Sequence, residues 1–184
     1  AESPADDYYP MVNGVTQTVT YNAGWSWISF GLEKATKNLD ELLVDMSVDD
    51  ELICQGSIGS AKYYNDFGYL WYPSFDVPDY SMCMLKIANE KTVSVKGKKK
   101  DATYDIIGEW TWIGFPGMDD IKIDEFLVGN FEVGDTITCQ GQDGSSSFYN
   151  EYGFLWYPNF DLPISKGKGC MLQKGTQGTF TQSL

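Results

Sequence analysis

No histidine and no arginine occur in the chain; its 13 basic residues are all lysine, set against 26 aspartates and glutamates. Without histidine there is no side chain poised for acid–base work near neutral pH, no usual base to activate a serine or cysteine, and no imidazole ligand for a transition metal. Without arginine there is no planar fork for bidentate recognition of phosphate or carboxylate. The four cysteines include no Cys-x-x-Cys pair, which removes a zinc knuckle. No apolar run is long enough to span a bilayer, so membrane insertion is not expected. The net charge of −13 repels nucleic acid and anionic membrane, both polyanions. These absences point away from an enzyme and imply neither cofactor nor metal. The start at Ala1 carries no signal or transit pattern and reads as a processed end, which leaves the address of the chain open.

What the chain does contain, it contains twice. Gly24-Trp25-Ser26-Trp27-Ile28 returns as Glu109-Trp110-Thr111-Trp112-Ile113, and Phe67-Gly68-Tyr69-Leu70-Trp71-Tyr72-Pro73 returns as Tyr152-Gly153-Phe154-Leu155-Trp156-Tyr157-Pro158. The offset is 85 residues, from Trp25 to Trp110, Cys54 to Cys139 and Trp71 to Trp156. So long a period, seen twice, is a tandem domain duplication and not a short solenoid repeat. The expected organisation is an extended arm over 1–14, a first β module over 15–97, a linker over 98–100 within the hydrophilic run Gly97-Lys98-Lys99-Lys100-Asp101, and a second β module over 101–184 that ends in a short tail. Modules of about 80 residues are near the lower limit of independent stability, so the two are expected to lean on each other.

Within each copy the pattern is strand-rich. Val15 to Tyr21 alternates and is β-branched, as a strand should be. In the next strand Trp25 and Trp27 share one face, with Ile28 and Phe30 on the other. Both faces are expected to be covered, one by a second sheet and one by a helical segment carrying Leu39, Leu42, Leu43 and Met46, whose counterpart is Ile123 to Leu127. Glu51 to Cys54 and Thr136 to Cys139 read as strands, and Gly56 to Ser60 and Gly141 to Ser147 as Gly/Ser-rich loops. A strand over 67–72 ends at Pro73, and Cys83 to Ile87 closes the module. The expected fold is mainly β: two tandem β-sandwich-like modules, each with a short helix, related by pseudo-twofold symmetry.

Cys54 and Cys83 match Cys139 and Cys170. They are either a disulfide within each module, suited to an oxidising compartment, or buried thiols on neighbouring strands. Among the carboxylates, Asp50 and Asp135 fall where a turn wants aspartate and Asp76 and Asp161 precede an X-Pro step, so they read as turn residues before they read as a glycosidase pair. Asp49-Asp50-Glu51 and Asp119-Asp120 lack the spacing of a calcium loop and read as solvated surface. A lysine base stays open as a remote enzymatic reading. The aromatic residues Trp71, Tyr72, Phe75, Trp156, Tyr157 and Phe160 are either core or a surface, and as a surface they are the candidate assembly contact or sugar platform.

The order Gly-Trp-x-Trp-Ile, apolar helical stretch, Asp turn and strand, Leu-Trp-Tyr-Pro box and Cys-Met-Leu strand resembles a small β module of secreted bacterial surface proteins. Its duplication on one acidic, histidine-free chain is similar to the diatom pyrenoid shell proteins, over residues 15–182. That resemblance implies two β-rich halves about a pseudo-twofold axis. It also implies a structural protein that self-assembles into a sheet or tube-like shell around the Rubisco-rich pyrenoid of an algal plastid, in support of carbon fixation. The implied location is the plastid stroma at the pyrenoid periphery, with partners in further copies of the chain and possible contacts to Rubisco or pyrenoid matrix proteins. The competing expectation is a tandem carbohydrate-binding module of a secreted or cell-wall protein.

Overall fold

The computed structural model describes residues 14–66, 68–129, 131–141, 144–150 and 153–183. The expected arm, apart from Gly14, lies outside the described residues, as do Phe67 and Tyr152 of the repeated boxes. Strand makes up 48% and helix 7% of the chain, in several antiparallel sheets, so the fold is mainly β and consistent with a β-sandwich-like architecture.

The elements run β1 (Val15–Tyr21), β2 (Gly24–Ile28), β3 (Glu33–Lys34), α1 (Leu39–Leu42), β4 (Glu51–Cys54), a 3-10 turn (Gly56–Ile58), β5 (Gly59–Tyr64), β6 (Leu70–Tyr72), β7 (Cys83–Ile87) and β8 (Lys91–Lys98). They continue as β9 (Ala102–Ile106), β10 (Trp110–Ile113), β11 (Ile121–Lys122), α2 (Ile123–Phe126), β12 (Thr136–Cys139), β13 (Gly144–Tyr149), β14 (Leu155–Tyr157), β15 (Asp161–Leu162), β16 (Cys170–Gln173) and β17 (Gly178–Gln182). One five-stranded sheet has the order β2-β7-β4-β5-β6 and another the order β10-β16-β12-β13-β14, so the two follow the same path through the chain. Smaller sheets, β1-β8-β3 and β17-β9, flank them.

Three expectations need correction. The segment read as a loop over Gly56 to Ser60 is the 3-10 turn and the first two residues of β5, and the one over Gly141 to Ser147 runs into β13; the alternation of both strands is hidden because small Ser and Ala fill sites that a strand usually gives to β-branched residues. Cys83 to Ile87 does not close the first half: β8 does, by pairing along its length with β1, and it takes Lys98 with it, leaving Lys99 to Asp101 between β8 and β9. Finally, only one face of β2 is covered. Ile28, Phe30, Leu39, Leu42, Leu43 and Met46 share one buried cluster with Val19, Tyr21, Val93 and Val95, so helix and small sheet pack on the same side, while Trp25 on the other face stays 44% exposed.

Alternation explains the small sheets. Gln17, Val19 and Tyr21 of β1 point inward; Thr18 and Thr20 point out and pair across the ladder with Ser94 (2.9 Å) and Thr92 (2.8 Å). The buried Gln17 amide is satisfied, accepting from Gly31 N and donating to Ile164 O. A second cluster, with Tyr104, Ile113, Phe115, Ile123, Phe126, Ile137, Trp156 and Leu172, fills the second half.

The halves meet through reciprocal hydrogen bonds. Ser29 N donates to Gly167 O (2.8 Å) and Gly114 N to Tyr80 O (2.8 Å); Gly169 N donates to Trp27 O (3.1 Å) and Met82 N to Trp112 O (3.3 Å). Two glutamines complete the join. Gln140 accepts from Trp27 N (2.8 Å) and donates to Trp25 O (2.7 Å), and Gln55 accepts from Trp112 N (2.7 Å) and donates to Trp110 O (2.5 Å). Each of these eight bonds has a counterpart in which the halves exchange roles, whereas Gly117 N donates to Gly31 O (2.8 Å) and Gln17 to Ile164 O without one. The contact is so close that it demands glycine: a Cβ on Gly31 would fall on the Gly117 carbonyl, and one on Gly114 would overlap Ser29 Oγ.

Candidate assembly surface

The Leu-Trp-Tyr boxes form β6 and β14, each the last strand of its sheet. Because successive residues of a strand face opposite ways, the two aromatics of each box part company. Trp71 and Trp156 are 1% and 2% exposed, with the indole N–H donating to Leu43 O (2.8 Å) and Leu127 O (3.3 Å) just past each helix. They are core residues, a correction to their candidacy as surface anchors. The Trp71 backbone N–H donates to the Asp40 carboxylate (2.7 Å), which blunts part of the edge of β6. Tyr72 and Tyr157 project the other way and are 69% and 68% exposed. Phe75 and Phe160 lie half-buried against the two cores, and their carbonyls accept from the first N–H of each helix, Leu39 N and Ile123 N.

Sequence reasoning missed two exposed aromatics. Tyr69 stacks on Tyr63 at 6.3 Å between centroids, and Phe154 on Phe148 at 6.0 Å; each is more than 70% exposed. Beside Phe154 opens a cleft of about 540 Å³ lined by Val128, Phe131, Phe148 and Trp156. It also missed Gln55 and Gln140, although Cys-Gln-Gly stands at the same place in both copies.

The large apolar side chains left in water fall mostly into matched pairs: Trp25 with Trp110, Val44 with Val128, Val48 with Val133, Tyr69 with Phe154 and Tyr72 with Tyr157. Among the described residues, Ile107 and Tyr149 are the exposed large apolar ones without such a match.

The titratable candidates serve the fold. Asp50 is buried and accepts from Ser47 N and Ala88 N, and Asp135 likewise accepts from Glu132 N and Gly175 N, so each ties a turn to the end of the neighbouring strand. Asp76 is exposed, and Asp161 is exposed beside Lys122 at 3.1 Å. Lys34, buried to 1% side-chain exposure, holds Asp79 (2.8 Å) and donates to Pro78 O. Burial pulls its ammonium below the usual lysine range against the opposing pull of Asp79. Burial alone would raise the Asp79 carboxyl, but hydrogen bonds from Lys34 and Lys37 outweigh it and hold the group below the ordinary carboxylate value. That ion pair tethers the loop before β7 and occupies the lysine. The cysteines are joined as Cys54–Cys83 and Cys139–Cys170, each across directly paired residues with Cα atoms 4.4 Å apart. Among the described residues no helix is long and apolar enough to cross a membrane.

Compared with known proteins, the chain matches no family, no curated protein and no solved structure.

Proposed function

We propose that the chain is two copies of one β module docked about a pseudo-twofold axis, and that it acts as a non-catalytic building block that self-assembles into a sheet or tube. The observation that carries this reading is the pairing of the exposed apolar residues. A fold demands that core positions repeat; it makes no such demand of Tyr72 and Tyr157, or of Tyr69 and Phe154, in water. Single exposed apolar residues are ordinary on a protein surface, but large ones that recur at matched places in two copies mark a surface with a use. Two related sites on one chain propagate contacts instead of closing them, and contacts that do not close give open lattices. The same reading assigns the carboxylates and Lys34 to structure and gives the chain no turnover.

The resemblance adds a place for such a lattice, the boundary of a plastid pyrenoid. The disulfides favour a secreted location, because a reducing stroma does not maintain them.

The test is light scattering and electron microscopy of the purified chain across a salt series. With a net charge of −13, assembly is expected to strengthen from low salt to about 0.1 M, where the screening length falls to about 10 Å. Tyr69→Asp with Phe154→Asp, or Tyr72→Asp with Tyr157→Asp, is expected to leave the fold intact and abolish assembly, since aromatic anchors often carry about 2 kcal/mol or more of an interface. A wild-type chain that stays monomeric at high concentration at every salt level overturns the proposal.

A further inference from the structure

The outer faces of the two five-stranded sheets have the same frame and different chemistry. Register places Trp25, Lys86, Glu51, Lys62 and Tyr72 in one row across the first sheet. The corresponding row of the second sheet is Trp110, Gln173, Thr136, Ser147 and Tyr157. The aromatic ends are kept, and the three charges between them are replaced by an amide and two hydroxyls. In the adjoining row Ile53 gives way to Thr138, which faces Ser145. No outward position of β10, β16, β12, β13 or β14 among the described residues carries a charge, in a chain whose net charge is −13.

From this face we infer a binding site for a neutral polysaccharide, a β-linked glucan, on the second half alone. The equatorial hydroxyls of such a sugar leave flat C–H faces that stack on aromatic rings, while its rim both donates and accepts hydrogen bonds. Trp110 and Tyr157 are 37% and 68% exposed and stand four strand spacings apart, about 19 Å, so a chain of several sugars laid across the strands reaches both. Between them the hydroxyls are already oriented: Thr136 Oγ1 lies 3.1 Å from Ser147 Oγ and Thr138 Oγ1 2.8 Å from Ser145 Oγ. A hydroxyl so paired keeps free lone pairs for a ligand. An uncharged face pays no desolvation of ions on meeting a neutral ligand. The first sheet would have to strip water from Lys86, Glu51 and Lys62 to take the same ligand. A cation or a basic protein would instead be drawn to the acidic remainder of the surface. The inference does not depend on self-assembly.

The experiment measures retention of the intact chain on insoluble β-1,3-glucan and on microcrystalline cellulose, with circular dichroism and sedimentation recorded for every variant. Saturable retention of the wild type on at least one glucan is expected. Trp110→Ala with Tyr157→Ala should weaken it by about tenfold or more, and Trp25→Ala with Tyr72→Ala by less than about twofold. Because aromatic truncation can disturb folding, the second variant transplants the row the first half already tolerates: Thr136→Glu, Ser147→Lys and Gln173→Lys should stay folded and lose retention. No saturable retention of the wild type on either glucan, or equal loss from the two aromatic pairs, overturns the inference. So does a transplanted row that abolishes assembly while leaving retention unchanged, because the face would then be a contact between copies of the chain.

Discussion

Replacing Cys54 and Cys83 together by alanine tests the framework of the first half most directly. The bond links residues 29 apart in sequence, and its equivalent links residues 31 apart. On the loop-closure account, releasing a loop of about 30 residues returns about 3–4 kcal/mol of entropy to the unfolded chain. Packing adds little, because alanine lacks only one buried sulfur. For a chain of this size about 1 kcal/mol moves the melting temperature by about 2–4 °C, so a drop of about 6–16 °C is expected. Cys139→Ala with Cys170→Ala should cost nearly the same, since both bonds join directly opposed residues of the two central strands of their sheets. Thermal melts followed by near-ultraviolet circular dichroism read the loss, and alkylation of the denatured wild type without reductant counts free thiols. A double variant melting within about 2 °C of wild type refutes the entropic reasoning. Four alkyl groups on the unreduced wild type remove the disulfides, and with them the structural argument for a secreted location.

The period in the sequence was enough to place β2, β4, β6 and β7 with their counterparts and both short helices, because tryptophan, cysteine and the Trp-Tyr-Pro boxes are rare enough that their recurrence is informative. Periodicity also separates Trp71 from Tyr72 once a strand is drawn through them. What it does not give is which face of the sheet meets the core. Trp25 and Trp27 look as apolar as Ile28 and Phe30, and burial is decided by where β1, β8 and α1 land, through contacts far apart in the chain. Strands β5 and β13 stayed hidden for a different reason: in Gly59-Ser60-Ala61-Lys62 and Gly144-Ser145-Ser146-Ser147 strand propensity is weak and cross-strand pairing overrides it. The join between the halves was not legible: the glutamine after each cysteine recurs, but its partners lie in the other half, and local pattern carries no trace of them.

At the junction, Gly114→Ser puts into the second half the residue that the first half has at the matching place, Ser29. It is nevertheless expected to destabilise by about 1–3 kcal/mol, because the two side chains would overlap; a reversible melt unchanged from wild type refutes the close approach. Alkaline pH tests the buried tyrosines. Tyr21 donates to Gly167 O across the junction (2.6 Å) and Tyr104 to Gly114 O (2.7 Å). Burial raises both phenols above the ordinary tyrosine value and raises Tyr80 to about 12. Below pH about 10, where tyrosine is protonated in either state, this stabilisation is fully present. Above it the unfolded chain releases phenol protons that the folded chain retains, so the unfolded state binds fewer protons and stability falls as pH rises, by up to about 1.4 kcal/mol per unit for each buried tyrosine. Lysines also lose charge in this range, and the variant with Tyr21→Phe and Tyr104→Phe separates the two effects. Between pH about 9 and about 11 its stability, read from urea unfolding, should fall by about 2.8 kcal/mol less than that of wild type for the two phenols together, because the unfolded phenols ionise only above pH about 10. Equal slopes for the two proteins, or a folded wild type in which every tyrosine ionises near pH about 10, would show that these hydroxyls exchange with solvent and that Tyr21 does not hold the halves in register.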